Sequence, residues 1–346
     1  MVQMRPIIVR YGEIGLKSEF VRRKFEKKLI SNIEDAFLRA RIECSVVREH
    51  GRIFVYVDDI DGACKVLNKV FGIVSFSPAF ECSSDKETLK KFGVELLANS
   101  FSGGESFAVR VKRTGKHEYT SQEAGAFIGE AILNAYADKN IHVDLKEPKV
   151  VLSVEIREKR AYFYLETIEG PLGMPLGSQG KVMGILSTKE HSILAHWLIM
   201  KRGCSLDLIY LEKENLEKEN DKKGDDETLD TGLGNGLEKR LDVAKERKKK
   251  AYENAEKLRR WNPNMKIYDI EVKLGGDENF TKEDYACASE FAFKKGALAL
   301  VSGETFEELT EKDRFEDNVA DMPILFPLIG FSDEEMEKRM KDADLL

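Results

Sequence analysis

The chain has 346 residues, 42% of them hydrophobic, and its 55 Lys and Arg against 62 Asp and Glu give a formal net charge of −7. This length is enough for two or three domains. No apolar stretch approaches the roughly 20 residues that a membrane helix requires, and the N-terminus lacks the apolar core of a signal peptide. Composition therefore predicts a cytoplasmic protein with no membrane partner.

Charge is unevenly distributed along the chain. Residues 1–180 carry 27 Lys and Arg against 25 Asp and Glu, whereas residues 181–346 carry 28 against 37. Any surface for a polyanion is therefore expected in the first half. The five cysteines are scattered without a CxxC pair, which argues against a zinc or iron–sulfur site, and we predict no metal site.

The first part of the chain shows the order β-α-β-β-α-β. RPIIVRYGEIG is typical of a strand and turn, and EFVRRKFEKKLISNIEDAFLRA of an amphipathic helix. The apolar positions of this helix are Phe20, Phe25, Leu29, Ile33 and Phe37. Two strands joined by a tight turn follow, then a helix, and VSFSPAFE is expected to form one further strand. This order predicts a ferredoxin-like domain at 1–80.

A second domain is predicted at 81–170. After an initial helix, ESFAVRVKRTGKHEYTSQEAGAFIGEAILNAY is typical of a strand, a basic loop and a helix, with Thr120 and Glu123 forming a capping box. A hairpin with its turn near Glu158-Lys159 follows. The Gly- and Pro-rich residues 171–180 are interpreted as a linker.

The third domain is expected at 181–346, where strands alternate with helices as in a doubly wound parallel α/β sheet. The fold class is therefore multidomain, α+β in the first two domains and α/β in the third. Residues 213–236 have almost no apolar content and many charges, and we predict a disordered acidic insertion there.

The stretch FAVRVKRTGKHEYTS carries the strongest chemical signal of the first half. Strand alternation places its apolar residues on one face and its cations on the other, and the loop adds further cations next to a helix N-terminus, which favours anions. The candidates for contact with a nucleic-acid backbone are Arg110, Lys112, Arg113, Lys116 and His117. A solvated strand edge is the alternative interpretation.

The stretch ILSTKEHSILAHWLIMKRGC, residues 185–204, predicts a strand, a loop and a helix. That layout usually holds a phosphate at the helix N-terminus. Its loop contains no glycine, and the β-branched Thr188 resists a positive φ by about 1–2 kcal/mol. Glu190 adds a negative charge where a polyphosphate would lie.

Residue order over most of the chain resembles the tRNA 4-thiouridine synthetase (tRNA sulfurtransferase) family. The basic stretch and its helix are similar to the core of the THUMP domain, an RNA-binding module of tRNA-modifying enzymes. IIVRYGEIGLKS resembles the family's N-terminal ferredoxin-like segment. GPLGMPLGSQGKVMGILS, MKRGC, ALALVSGE and DNVADMPILFPLIGF extend the resemblance through the third domain.

The resemblance implies that the first two domains bind the acceptor region of tRNA. It also implies that the third is a PP-loop ATP pyrophosphatase domain, which adenylates a uridine before a cysteine persulfide supplies sulfur. On this basis Arg10 and Lys17, in the N-terminal segment, join the candidates for RNA contact. The alternative for Arg10 is an ordinary strand residue that is paired with Glu13 or exposed to solvent.

The chain departs from the family's PP-loop pattern, Ser-Gly-Gly-x-Asp-Ser. Both serines match, but Thr188 and Lys189 replace the glycines and His191 replaces the aspartate. Since glycines let backbone N–H groups approach a phosphate, we predict a degenerate loop. The candidate nucleotide-binding residues, including the family's later strand-end motif, are Ser187, Thr188, Lys189, Ser192, Gly303 and Glu304.

The cysteine that carries sulfur in the family is not matched either. Its expected position is near Asn279-Phe280, and the nearest cysteine, Cys287, lies about two helical turns later in a stretch whose spacing predicts a buried face. We therefore predict no catalytic residue.

Together these observations predict a tRNA-binding protein with a degenerate ATP site and no required cofactor. One alternative is an active ATP-dependent tRNA sulfurtransferase that makes 4-thiouridine at tRNA position 8, which would need ATP and Mg²⁺. Another is a subunit or RNA chaperone that presents tRNA to a separate modifying enzyme. The expected partners are tRNA and either a second copy of the chain, in a homodimer, or such an enzyme.

Overall fold

The computed structural model describes residues 4–12, 18–49, 51–213, 233–272, 280–310 and 322–346. It divides into two compact units, Met1–Leu172 and Gly173–Leu346. Lys17 and residues 214–232, which are most of the predicted insertion, lie outside the described residues. Within the described part of the chain, no helix combines the length and the apolar character needed to cross a membrane.

The ferredoxin-like domain has the predicted element order. Its elements are β1 (Arg5–Tyr11), α1 (Glu19–Ala40), β2 (Cys44–Glu49), β3 (Arg52–Val57), α2 (Ile60–Leu67) and β4 (Ile73–Pro78). The strands are antiparallel, in the order β4-β1-β3-β2. Four of the five predicted apolar positions of α1 are buried, but Phe20 is 82% exposed. It lies in the first turn of the helix, before the first buried position at Phe25.

The predicted strand VSFSPAFE is two strands in two different sheets. β4 ends at Pro78, and β5 (Phe80–Ser83) belongs to the sheet of the next domain. Ala79 between them is fully buried, and its N–H donates to Pro6 O at 2.8 Å. The chain therefore passes from one sheet to the other without a loop.

The second domain is a sheet covered by two helices on one face. Its further elements are α3 (Lys86–Leu96), β6 (Ser106–Thr114), α4 (Ser121–Ala135), β7 (His142–Val143), β8 (Val150–Arg157) and β9 (Arg160–Tyr164). The strand order is β5-β9-β8-β6-β7. The capping box of Thr120 and Glu123 is confirmed, and so is the hairpin turn at Glu158-Lys159.

The faces of the two sheets that carry no helix pack against each other. The rings of Phe54 in β3 and Tyr162 in β9 have centroids 4.5 Å apart, and Ile8, Ala79 and Tyr164 complete this buried cluster. β10 (Ile168–Glu169) then pairs with β4, so the chain returns from the second domain to the sheet of the first. These two domains therefore form one compact unit.

The second unit is a five-stranded parallel sheet. Its elements are β11 (Lys181–Ile185), α5 (Ser192–Lys201), β12 (Ser205–Lys213), α6 (Leu233–Arg259), β13 (Ile267–Val272), α7 (Lys282–Lys294), β14 (Leu300–Val301), α8 (Phe306–Thr310), β15 (Ile324–Leu325) and α9 (Asp333–Asp342). The order β13-β12-β11-β14-β15 confirms the doubly wound topology. It reverses between β11 and β14, and in such sheets ligands bind at the carboxyl ends of the strands at that point.

Two boundaries differ from the prediction. α6 begins at Leu233, so residues 233–236 are helical rather than part of a disordered insertion. Extending an established helix adds one hydrogen bond per residue, which carries it through two glycines. The predicted linker is partly fixed on the third domain, because Met174 N donates to Lys201 O at 2.9 Å and Gln179 N to Gly203 O at 3.0 Å.

Candidate functional site

The predicted alternation of β6 is confirmed. Val109 and Val111 pack on the core formed with the helices, and Arg110 and Lys112 are exposed on the opposite face. Lys116, in the loop beyond the strand, is also exposed. Three cations along one strand and its loop are therefore accessible to an anionic ligand.

Arg113 and His117 are organised differently from these three. β6 continues to Thr114, so Arg113 is a strand residue rather than a loop residue. It lies on the same face of the strand as Val111, two residues before it. Its Nη1 lies 3.1 Å from Gly115 O and 3.2 Å from His117 Nδ1.

His117 is held in one tautomer by its partners. Its Nε2 lies 2.7 Å from Glu158 O, and a carbonyl oxygen only accepts, so we assign the ring proton to Nε2. Nδ1 then accepts from Arg113, which only donates. Both ring nitrogens of His117 thus have partners in the chain, and one of them is the guanidinium of Arg113.

The N-terminus of α4 already holds a carboxylate. Thr120 N donates to Glu123 Oε2 at 2.7 Å, and Glu123 N donates to Thr120 Oγ1 at 3.2 Å. The backbone hydrogen bond from Thr120 lowers the pKa of Glu123. The favourable helix terminus that we expected for an external anion is therefore partly used within the chain. The adjacent cleft, of about 870 Å³, has a mixed charge. It is lined by three lysines and five carboxylates: Lys86, Lys116, Lys159, Asp85, Glu118, Glu123, Glu130 and Glu158.

Arg10 is directed into the contact between the two sheets. Its Nε and Nη2 donate to Glu155 Oε1 at 3.2 and 3.1 Å, and its Nη1 donates to Ser77 Oγ at 3.0 Å. Only 13% of its side chain is exposed. The partner is thus a buried carboxylate of the second domain, and an RNA contact by Arg10 stays a prediction.

A second charged cleft, of about 780 Å³, lies between α1 and the turns of the β2–β3 and β8–β9 hairpins. Its cations are Arg22, Arg23, Arg48, Arg157, Lys159 and Arg160. Its carboxylates are Glu19, Glu26, Glu49 and Glu158. The cations of α1 are visible in the sequence, but the cleft depends on the packing of two domains and could not be predicted.

The predicted nucleotide-binding residues lie at the carboxyl edge of the parallel sheet in the second unit. The loop after β11 faces the segment after β14, and Gly303 lies directly against α5. A Cβ at position 303 would be 2.4 Å from Ser192 Cα, so only glycine fits this approach. Gly303 therefore has a structural reason to be present, with or without a ligand.

The loop from Ser187 to Ser192 is held by hydrogen bonds of its own. Lys189 N donates to Ser187 Oγ at 3.1 Å, and Ser192 Oγ donates to Lys189 O at 2.7 Å. Asn254 of α6, which is buried, donates Nδ2 to Ser187 O at 3.4 Å and to Thr188 O at 3.3 Å. Sequence reasoning missed Asn254, because nothing in a charged helix marks the residue that reaches a distant loop.

Lys189 forms an ion pair with Glu308 of α8. His191 Nε2 lies 3.7 Å from the other oxygen of this carboxylate, and this longer contact adds to that of Lys189. Burial acts to raise the pKa of Glu308, but His191 and Lys189 outweigh it and lower this pKa to about 2. Sequence reasoning missed Glu308 as well, although Thr305 and Glu308 carry a recognisable capping pattern.

Glu304 is part of a buried, hydrogen-bonded cluster. It is 3% exposed, accepts a hydrogen bond from the Tyr285 hydroxyl, and lies 3.3 Å from Ser302 Oγ. The Tyr285 hydroxyl also lies 2.8 Å from Ser302 Oγ. Among the described residues, no three His, Cys, Asp or Glu side chains form a group that could hold a metal ion.

Cys287 lacks the features of a reactive thiol. It is partly buried, and burial, followed by the charges of Glu290 and Asp284, raises its pKa. A raised pKa keeps the thiol protonated, whereas the thiolate is the nucleophile. Phe280, near the position expected for a sulfur-carrying cysteine, is a buried core residue.

Comparison with known proteins supports this organisation. The ThiI ferredoxin-like domain family matches residues 6–77, and the THUMP domain family matches residues 83–166. These matches define a THUMP-domain protein whose two N-terminal domains precede a doubly wound α/β domain.

Relatives extend the similarity over almost the whole chain. A probable tRNA sulfurtransferase of Methanobrevibacter smithii is 34% identical over 351 residues, which cover 97% of this chain and 85% of the relative. Another, of Methanothermobacter thermautotrophicus, is 34% identical over 97% of this chain and 83% of the relative. The chain belongs to the tRNA sulfurtransferase family, as its resemblance implied.

Two solved structures share the fold. PH1313 from Pyrococcus horikoshii has a TM-score of 0.72 and 27% identity, over 99% of this chain and 100% of that one. A 4-thiouridine synthetase, solved as an RNA complex with bound ATP, has a TM-score of 0.68 and 25% identity, over 99% of this chain and 85% of that one. The three-part architecture predicted from the sequence is thus confirmed.

Proposed function

We propose that this protein binds the acceptor region of tRNA through its ferredoxin-like and THUMP domains, and that its PP-loop-like domain no longer uses ATP. The observation that supports RNA binding most directly is the accessible row of Arg110, Lys112 and Lys116 on a THUMP domain. Its relatives are named as tRNA sulfurtransferases, and one protein with this fold was solved in complex with RNA.

The loss of ATP use is supported by the state of the loop. Thr188 and Lys189 stand where the family has glycines, and the cation that Lys189 supplies is neutralised by Glu308. A triphosphate would have to displace that carboxylate and would lie near Glu190, which carries a further negative charge. The loop residues therefore do not fit ATP and Mg²⁺, and no reaction step is assigned to them.

An active sulfurtransferase is the alternative. It is favoured by the position of the loop, which still lies at the reversal of strand order with both family serines, Ser187 and Ser192. The two proposals differ in their products, because adenylation of tRNA releases pyrophosphate and the sulfur transfer that follows releases AMP. A non-catalytic protein would instead present tRNA to a separate modifying enzyme or act as a homodimer, and co-purification with a second protein would identify such a partner.

RNA binding is tested by filter binding of an unmodified tRNA transcript over a salt series. The variant R110Q/K116Q removes two exposed cations, and K146Q removes one exposed cation near the opposite end of β6 as a control. If both cations contact phosphates, the slope of log K against log salt becomes shallower by about 1.8, whereas K146Q leaves it unchanged. Wild-type affinity that does not change with salt would contradict the proposal.

A further inference from the structure

One buried carboxylate joins the ferredoxin-like domain to the THUMP domain. Glu155, in β8, is 2% exposed, and three guanidinium groups surround it. Arg10 reaches Oε1 at 3.1 Å, Arg52 reaches Oε2 at 3.2 Å, and Arg157 lies 3.4 Å from Oε2. Two of these three arginines belong to the other domain, in β1 and β3.

Two of these arginines also contact aromatic rings of the interface. The Arg10 guanidinium lies 4.9 Å from the centre of the Tyr164 ring, and that of Arg157 lies 5.8 Å from the centre of the Phe54 ring. Arg10 and Arg157 therefore each contact an aromatic ring of the opposite domain as well as the shared carboxylate. A group held in this way favours one arrangement of the two sheets over others.

A second set of contacts joins the domains at the exposed rim. Arg160 Nη2, in β9, donates to Glu49 Oε1, in β2, at 2.9 Å. The Tyr56 hydroxyl, in β3, donates to Glu81 Oε2, in β5, at 2.9 Å. These pairs join the two domains at the rim, as Glu155 and its arginines do in the interior. Their side chains are partly exposed, so a substitution there lowers the free energy of unfolding less.

Glu155 lies beside the strand that carries the exposed cations. In the β6–β8 register, Lys112 is opposite Glu155 and Arg110 is opposite Ser153, so all four lie on one face of the sheet. This is the face that the ferredoxin-like sheet partly covers. The position of that sheet therefore decides which surface adjoins Arg110 and Lys112.

We propose that Glu155 is a positioning residue, which sets the ferredoxin-like domain against β6. Two cationic surfaces, Arg22, Arg23 and Arg48 of the ferredoxin-like domain and the exposed Arg110 and Lys112 of β6, then fit one folded RNA at the same time. This inference rests on the proposed tRNA binding. When two surfaces bind one ligand, the gain in affinity depends on a spacing that matches it. A buried ion cluster of defined geometry supplies that spacing.

Positioning and simple electrostatics predict opposite changes. E155Q removes a negative charge from a basic region, so electrostatics alone predicts tighter binding of every RNA. Loss of positioning predicts weaker binding of folded tRNA, while a short single-stranded RNA, which needs only one surface, binds as well as before or more tightly. The ratio of the two affinities separates the two effects.

The experiment measures filter binding of the full chain to an unmodified tRNA transcript and to a short single-stranded RNA with the same 3′ sequence. In E155Q we expect the ratio of tRNA affinity to short-RNA affinity to fall at least about tenfold. E155D keeps a carboxylate and is expected to recover part of the ratio. The control E166Q removes an exposed carboxylate that follows β9, and its ratio should match that of the wild type.

E49Q breaks the interdomain pair at the rim and keeps the test valid if E155Q does not fold. A several-fold fall of the ratio in E49Q supports positioning. Equal changes for both RNAs in E155Q, or in E49Q when E155Q is unfolded, would overturn it. If the wild type itself fails to bind tRNA, the proposed function is wrong. This outcome is seen with the wild type alone and is therefore distinct from a failure of the positioning proposal.

Discussion

Lys189, in the loop after β11, forms an ion pair with Glu308 of α8 at the edge of the sheet where strand order reverses. The charge of Lys189 is balanced within the domain. The loop is therefore stabilised without a phosphate. The strength of this contact can be measured directly.

Glu308 should make the domain more stable above its usual pKa than below it. The folded-state pKa of about 2 lies below the usual glutamate pKa of 4.5, so this contribution is complete above pH 4.5 and is lost as pH falls towards 2. Because the pair is partly exposed, we expect about 1–2 kcal/mol. E308Q should lower the free energy of unfolding by this amount at pH 7 in urea.

The matched control is E307Q, at the exposed neighbouring position. Its free energy of unfolding should follow that of the wild type at every pH. If E308Q is as stable as E307Q at pH 7, the ion pair does not hold the loop.

His196 should give the same domain a second dependence on pH. It is fully buried in α5, and burial lowers its pKa to about 4 from 6.5. The unfolded chain binds a proton first as pH falls, so stability declines from pH 6.5 to about 4, by about 3 kcal/mol. In H196L the decline over this range should be smaller by that amount, measured by urea unfolding. Parallel pH profiles of the two proteins would contradict this.

Gly303 should not tolerate a side chain. A Cβ there would lie 2.4 Å from the Cα and Cβ of Ser192, whereas a Cβ at Gly330 would meet nothing within 4 Å. We expect G303A to cost about 1–3 kcal/mol in the free energy of unfolding, because the backbone of α5 must move. G330A is the control and should change it little. Equal stability of G303A and the wild type would show that α5 moves without cost.

Much of the fold could be predicted because local patterns decide it. The alternation of β6, the capping box at Thr120 and the strand–loop–helix around Ser192 each depend on neighbouring residues. The division of VSFSPAFE into two strands could not be predicted, because its apolar residues continue past Ala79. The strand divides there because its two halves pair in different sheets.

The partners of the site residues could not be predicted, because they come from distant elements. Alternation puts Glu155 on the face of β8 without helices, which in an isolated sheet would be hydrated; the ferredoxin-like sheet buries it. Asn254 and Glu308 brace the loop from α6 and α8, and no spacing links them to it. The sequence could identify the loop as a candidate site, but not the residues that hold it.

The most direct test of the account measures AMP release by the purified protein with ATP, a sulfur donor and unmodified tRNA, alongside filter binding of the same tRNA. We predict salt-dependent tRNA binding and no tRNA-dependent AMP. AMP that appears only when tRNA is present would show that the loop between β11 and α5 is a working ATP site, and would contradict the account.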